Sequence, residues 1–191
     1  MTVLNAAATA TLLTIVKILI GVLILAVIYI ITKINYFRRQ EQNIEKQRSG
    51  IEVALTQRYD TLKKLNTVVS GFAKHETDVL TNVTAMRTGM TPAELAKADA
   101  EMTNAVAGLS VLVENYPDIK SNVNFLQFQE TINDIEYTLQ ATRRLYNESV
   151  EDYNRAVVSF PSSIIANKVH ATTKEFFKAE EHKKQDYEIT F

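Results

Sequence analysis

"FLQFQETINDIEYTLQATRRLYNESVEDYNRAVVSFP", residues 125–161, is the stretch that decides the fold. Its seam positions are Phe125, Phe128, Ile132, Ile135, Leu139, Thr142, Tyr146, Val150, Tyr153, Val157 and Phe160. The steps between them alternate between three and four, with one slip from Tyr146 to Val150. That is the period of a helix packed against other helices. The pattern predicts a helix from Asp118 to Phe160, about 64 Å long and closed by Pro161. Asn133, Gln140, Asn147 and Asn154 recur every seven residues beside the seam. Tyr hydroxyls buried in a seam need partners, and neighbouring amides can fix register by hydrogen bonds. Tyr146, Asn147, Val150, Tyr153, Asn154, Val157 and Phe160 are therefore a candidate packing or oligomer interface, with Asn133 and Gln140 as register amides. The stripe faces either the chain's own helices or a neighbouring protomer.

Working back from this helix, "ENYPDIK" marks a boundary, because Pro117 disfavours helical geometry at Tyr116. "TGMTPAEL" marks another: Gly89 as a stop, Thr91 as N-cap, Pro92 at the first helical position and Glu94 completing a capping box. The helix between them carries Leu95, Met102, Val106, Leu109 and Val113 on one face, and is about 36 Å long. The following helix is nearly twice that length and must find a further partner, either the helix next to the membrane or a second chain. From Asn35 to about Thr88, apolar residues from Ile44 to Met86 keep helical spacing, as one helix or as two joined near Asp60. Beyond Pro161, residues 162–177 read as a short amphipathic helix, and residues 178–191 as a charged, loosely ordered tail.

The amino-terminal segment is of a different kind. "LLTIVKILIGVLILAVIYIIT", residues 12–32, has Lys17 as its only charge and spans about 31 Å as a helix, the thickness of a hydrocarbon core. Tyr29 and Tyr36 stand where interfacial aromatics belong. No small-x-small cleavage site follows, so an uncleaved transmembrane helix is expected rather than a signal peptide. Lys33, Arg38, Arg39, Lys46 and Arg48 follow the span, whereas residues 1–11 carry no charged side chain. The positive-inside rule then places the short N-terminus outside and the C-terminal domain in the cytoplasm.

Composition argues against catalysis. The chain has 191 residues, a formal net charge of −1, no Cys, no Trp and three His. The near-zero charge gives no footprint for nucleic acid. Absent Cys removes disulfides, thiolate metal sites and thiol nucleophiles. His75 and Glu76 are adjacent, so on a helix they point about 100° apart, and Val79 stands where a zinc-protease motif would need a second His. Glu130, Asp134 and Glu136 lack a His partner at di-metal spacing, and Arg143 and Arg144 read as part of a solvated face. Neither an enzyme nor a cofactor or small-molecule site is expected.

Three blocks carry a resemblance. "QRYDTLKKLNTVVSGFAKHE" (57–76), "LVENYPDIKSNVNFLQFQETINDIE" (112–136) and "ATRRLYNESVEDYNRAVVSFPSSIIA" (141–166) resemble, in order, the blocks of the LemA family of single-pass bacterial membrane proteins. The resemblance implies a bundle of about four helices, residues 33–177, behind one transmembrane helix in the bacterial cytoplasmic membrane. Within the blocks, Arg58, Gly71, His75, Glu76, Tyr116, Pro117 and Pro161 are expected to play structural parts. Some relatives are encoded near membrane-integrated proteases. Where relatives often carry Pro, this chain has Thr61–Lys64; where they often carry a Gly-containing turn, it reads NKVHATT. The expectation is an all-α protein, a transmembrane helix followed by an elongated antiparallel bundle of three to four long helices. Its expected role is that of a structural or interaction protein, self-associating as a homo-oligomer through coiled-coil-like helices at the bilayer surface. An adaptor for a membrane protein such as a protease is the alternative.

Overall fold

The structure is a computed structural model that describes residues 2–72 and 83–178. All its regular elements among these residues are helices: α1 (Thr2–Phe72), α2 (Pro92–Glu114), α3 (Pro117–Lys120), α4 (Val123–Val158) and α5 (Ser162–Lys168). The protein is all-α, an apolar N-terminal helix followed by helices that pack against it.

α1 is a single helix of 71 residues, with no break at Asp60. No proline interrupts it, and Thr56, Thr61 and Thr67 return their hydroxyls to the carbonyls four residues back. The helix long and apolar enough to cross a membrane begins at Leu12, and its most apolar window is entirely uncovered by protein. The helical spacing expected to continue to Met86 does not produce helix there: residues 83–91 are irregular. Side-chain bonds replace the helical ladder in that stretch. The Thr84 amide donates to Glu101 Oε2 at 2.7 Å, Arg48 Nη1 donates to the Met90 carbonyl at 2.7 Å, and the Met90 side chain is buried. Gly89 supplies a left-handed residue (φ +81°) in this turn rather than stopping a helix. α2 then starts as its capping box requires: Thr91 accepts from the Glu94 amide, and the Glu94 carboxylate accepts from the Thr91 amide. These bonds from Thr91, with Arg87 beside them, hold the Glu94 carboxyl below its usual range.

The helix expected from Asp118 to Phe160 is shorter at both ends. Pro117 opens α3, a single turn that buries Ile119, and Ser121–Asn122 separate it from α4. α4 stops at Val158, so Phe160 falls outside it. Likewise the helix expected over 162–177 is only α5, and residues 171–178 are non-helical.

The chain divides into two compact units. One takes in residues up to Gln42 with Asp152–Thr173; the other takes in Asn43–Glu151 with the segment from Lys174. In the second, Ile44, Ile51, Leu55, Leu62, Leu65 and Val69 of α1 join Leu95, Met102, Leu109 and Val113 of α2, and Phe125, Ile132, Ile135, Leu139, Tyr146 and Val150 of α4, in one buried core. Each such side chain contributes about 1.5–3 kcal/mol by leaving water. α4 runs against α1 here: Arg58 pairs with Glu136, Gly50 lies against Thr142, and Asn43 bonds Ser149. In the first unit, Phe37 and Tyr153 pack edge to face with centroids 5.9 Å apart, and α5 buries Ile165 and Ala166. α5 ends as a Schellman motif: the Ala171 amide donates to the Ala166 carbonyl and the His170 amide to the Asn167 carbonyl. His170 takes the left-handed position (φ 55°) that Gly most often fills in this motif. The Phe160–Pro161 peptide is cis.

Candidate functional site

Tyr146 and Asn147, adjacent on α4, both reach the same extended segment. The Tyr146 hydroxyl donates to the Glu175 carbonyl at 2.9 Å. The Asn147 amide donates to the Phe177 carbonyl at 3.0 Å and accepts from the Phe177 amide at 2.8 Å. One side-chain amide thus satisfies both backbone groups of Phe177, as a neighbouring strand would. The Phe177 ring is buried beneath the Arg143 guanidinium, 5.3 Å from its centroid. Burial raises the Tyr146 pKa, partly offset by Arg48, and the charges of Glu175 and Glu45 push the same way as burial.

Arg143 belongs to a second constellation. Asp99 of α2 bridges two guanidiniums: Oδ1 accepts from Arg58 Nη1 at 2.6 Å, and Oδ2 lies 2.6 Å from Arg143 Nη2. The second contact is an ion pair without an aligned hydrogen bond, and Nε of both arginines is buried with no acceptor. Glu136 stands 3.4 Å from Arg58 Nη2. Two cations and two carboxylates are thereby neutralised among three helices. A buried network of this kind selects one helix arrangement more than it adds net stability, because desolvation offsets most of the Coulomb gain. The reading of Arg143 as part of a solvated face is corrected: only Arg144 is solvated, pairing with Glu148 on its own helix. Asp99 and Glu136 carried no warning beyond lying at the edge of an apolar stripe.

In the other unit the Tyr153 hydroxyl donates to Glu41 Oε1 at 2.9 Å, and its ring is fully buried. Burial first, then the bond to Glu41 and its charge, push the Tyr153 pKa up to about 12.

The remaining sequence-derived residues disperse. Val150 is buried, Val157 half-buried, and Phe160 is 81% exposed. As a member of the packed seam Phe160 is corrected, because α4 ends two residues before it. Gln140 bonds Glu136 on its own helix, at 3.5 Å, rather than a facing helix. Asn133 lies at the rim of an apolar cavity of about 260 Å³ lined by Leu65, Val106, Leu109, Phe125 and Ile132. Asn147 holds the C-terminal segment instead of helix register, and Asn154 is half-buried. Gly71 is exposed, Tyr116 is the N-cap of α3, Pro117 is its first residue, and Pro161 precedes α5. His75 and Glu76 lie outside the described residues, as does the tail beyond Lys178. Among the described residues no three His, Asp or Glu side chains gather as a metal site would require.

The sequence matches the LemA family over residues 47–191. The chain belongs to the LemA family. It is 24% identical over 161 residues to a curated protein named Protein LemA from Metamycoplasma hominis, an alignment covering 82% of this chain and 74% of that one. The LemA match begins inside α1 and takes in the Asp99 bridge and the Tyr146–Asn147 clasp. In this LemA-family chain the Asn43 end of the Asn43–Ser149 bond lies outside the matched portion.

Proposed function

We propose that this LemA-family chain is a membrane-anchored, non-enzymatic interaction protein, held in the bacterial cytoplasmic membrane by residues 12–32 with its helical domain, residues 33–177, on the cytoplasmic face. One observation carries the reading: α1 runs unbroken from the uncovered apolar stretch beginning at Leu12 into the packed core at Ile44–Val69. Neither the apolar stretch nor the core carries a catalytic constellation among the described residues, which supports an interaction role over a tethered enzyme. The basic flank Lys33, Arg38 and Arg39 supports the cytoplasmic orientation. Self-association is part of the proposal. Tyr146, Val150 and Tyr153 are covered by the chain itself, so the contact would use other surface. Val123, Leu126 and Tyr137 support this, because they are exposed on α4, and Leu126 and Tyr137, eleven residues apart, return to the same helix face.

The test is size analysis of the full chain extracted in mild detergent, with cross-linking through Tyr137→Cys, which is clean because the protein has no Cys. Sedimentation as an oligomer with efficient cross-links supports the reading; a monodisperse monomer at micromolar concentration without cross-links overturns self-association. Release of the chain from membranes by alkaline carbonate would overturn the anchor.

The adaptor reading draws on the clasp. Because Glu175 and Phe177 are held by α4, whatever follows them starts from a fixed point, as a segment presented to a membrane protein would require. If deletion of residues 179–191 leaves the co-purifying membrane proteins unchanged, that version fails.

A further inference from the structure

The turn between α4 and α5 exposes Val158 (68%), Phe160 (81%) and Ile164 (56%), and Phe160 is the most exposed large apolar side chain among the described residues. Three such side chains in seven residues form an apolar knob rather than a scatter of single exposed residues. Their place in the fold says what covers them. The unit that contains them consists only of residues up to Gln42 and residues 152–173. α1 leaves this unit at Gln42 and α4 enters it at Asp152. At that entrance Tyr153 meets Glu41 and Phe37. The rest of α4 therefore lies beside α1 residues that precede Phe37, running toward the apolar span. From Tyr153 to Val158 is five residues, about 7.5 Å of helix, and the same rise from Phe37 leads back to Thr32. Thr32 is where the apolar stretch ends.

We infer that the α4–α5 turn is a second membrane contact, with Phe160, Val158 and Ile164 inserted at the headgroup–acyl boundary beside the exit of the transmembrane helix. Lys33, whose ammonium sits over the rings of Tyr29 and Tyr36, marks that boundary on α1. Lys168 in the last turn of α5, with Arg38 and Arg39 on α1, adds positive charge in the same unit, which suits an anionic lipid surface. α5 presents two faces to match: Ile165 and Ala166 are buried in protein, while Ile164 is left outward. A two-point contact would fix the tilt of this unit on the bilayer, which a lone span leaves free. The inference rests on the anchor proposed above.

The test uses full-length protein reconstituted in vesicles of phosphatidylethanolamine and phosphatidylglycerol, with an environment-sensitive fluorophore at single cysteines: Phe160→Cys, Leu23→Cys within the span, and Tyr137→Cys as an exposed control. The expected result is a blue-shifted Phe160 label quenched by a nitroxide high on the lipid chain, a Leu23 label quenched by a nitroxide deep on the chain, and an unquenched Tyr137 label. Quenching at Leu23 with none at Phe160 overturns the turn's insertion and leaves the anchor standing. Loss of quenching at Leu23 overturns the anchor itself. A Phe160 label shielded from both lipid nitroxide and aqueous iodide would mean that protein, a second copy or a membrane partner, covers the turn, and would likewise overturn the inference.

Discussion

The Tyr153 hydroxyl donates to the Glu41 carboxylate at 2.9 Å, joining residues 112 positions apart in the sequence. Helix α4 carries the donor, and the continuation of the apolar helix beyond Thr32 carries the acceptor. The long helix therefore finds its extra partner within its own chain at this point, in the helix next to the apolar span.

Because burial and Glu41 raise the Tyr153 pKa to about 12, the phenol stays neutral in the folded protein where an unfolded tyrosine, near 10, would ionise. Stability from this group is fully present below about pH 10 and is lost as pH rises toward 12. Tyr153→Phe removes the ionisation and the hydrogen bond together, at a cost of about 1 kcal/mol at neutral pH. Helical circular dichroism against pH should show a flatter alkaline limb in the variant; an unchanged limb would mean another group controls it.

Asn147→Ala leaves both backbone groups of Phe177 without their partner. Two hydrogen bonds at about 1 kcal/mol each predict roughly a tenfold or greater rise in amide exchange at Phe177, with the core amides of α2 unchanged. Asn147→Asp should behave similarly, since a carboxylate can accept from the Phe177 amide but repels its carbonyl. Exchange measured by mass spectrometry on the C-terminal peptide decides it.

Asp99→Ala takes from Arg143, whose Nε and Nη2 are buried, its carboxylate partner and leaves Arg58 with Glu136 at 3.4 Å, and should cost up to about 3 kcal/mol in denaturant unfolding. Arg58→Ala costs less in the Asp99→Ala background than alone, because the partner it would lose has already gone. Additive costs in the double variant would show that the bridge carries no coupling.

Gly50 sits inside α1, and a Cβ there would meet Thr142 Cγ2 at 3.5 Å, an ordinary contact. Gly50→Ala should therefore stabilise the fold by about 0.5–1 kcal/mol through reduced backbone entropy in the unfolded chain. A lowered Tm in mild detergent would indicate that α1 and α4 approach too closely for even a methyl group.

His170 pays for its left-handed conformation at the end of α5, a position where glycine has no steric penalty. His170→Gly should raise stability by up to about 1 kcal/mol, and His170→Val should lower it. Equal midpoints for the two variants would refute the claim that this backbone position is strained.

The helices α2 and α4, the capping box at Thr91 and the apolar segment from Leu12 were legible because each is written in local spacing. A seam at three and four, a Thr-Pro-x-Glu start and an unbroken apolar run all act within a few turns. The continuity of α1 past Asp60 was left open by those rules, since a residue that caps well also tolerates a helix interior. The helix is unbroken through Thr61–Lys64, where no proline interrupts it.

Partner choice was decided only in three dimensions. Periodicity says that Tyr146 and Tyr153 are buried, but the identity of what covers them depends on backbones that approach from far along the chain. Tyr146 meets Glu175, and Tyr153 meets Phe37 and Glu41. The same holds for Arg143, whose charge reads as surface until Asp99 and Phe177 close over it. Sequence by itself determined which faces must leave water, because hydrophobic burial is non-directional and local period reports it. The tertiary structure alone decided which polar groups meet, because hydrogen bonds and ion pairs require positions accurate to a few tenths of an ångström.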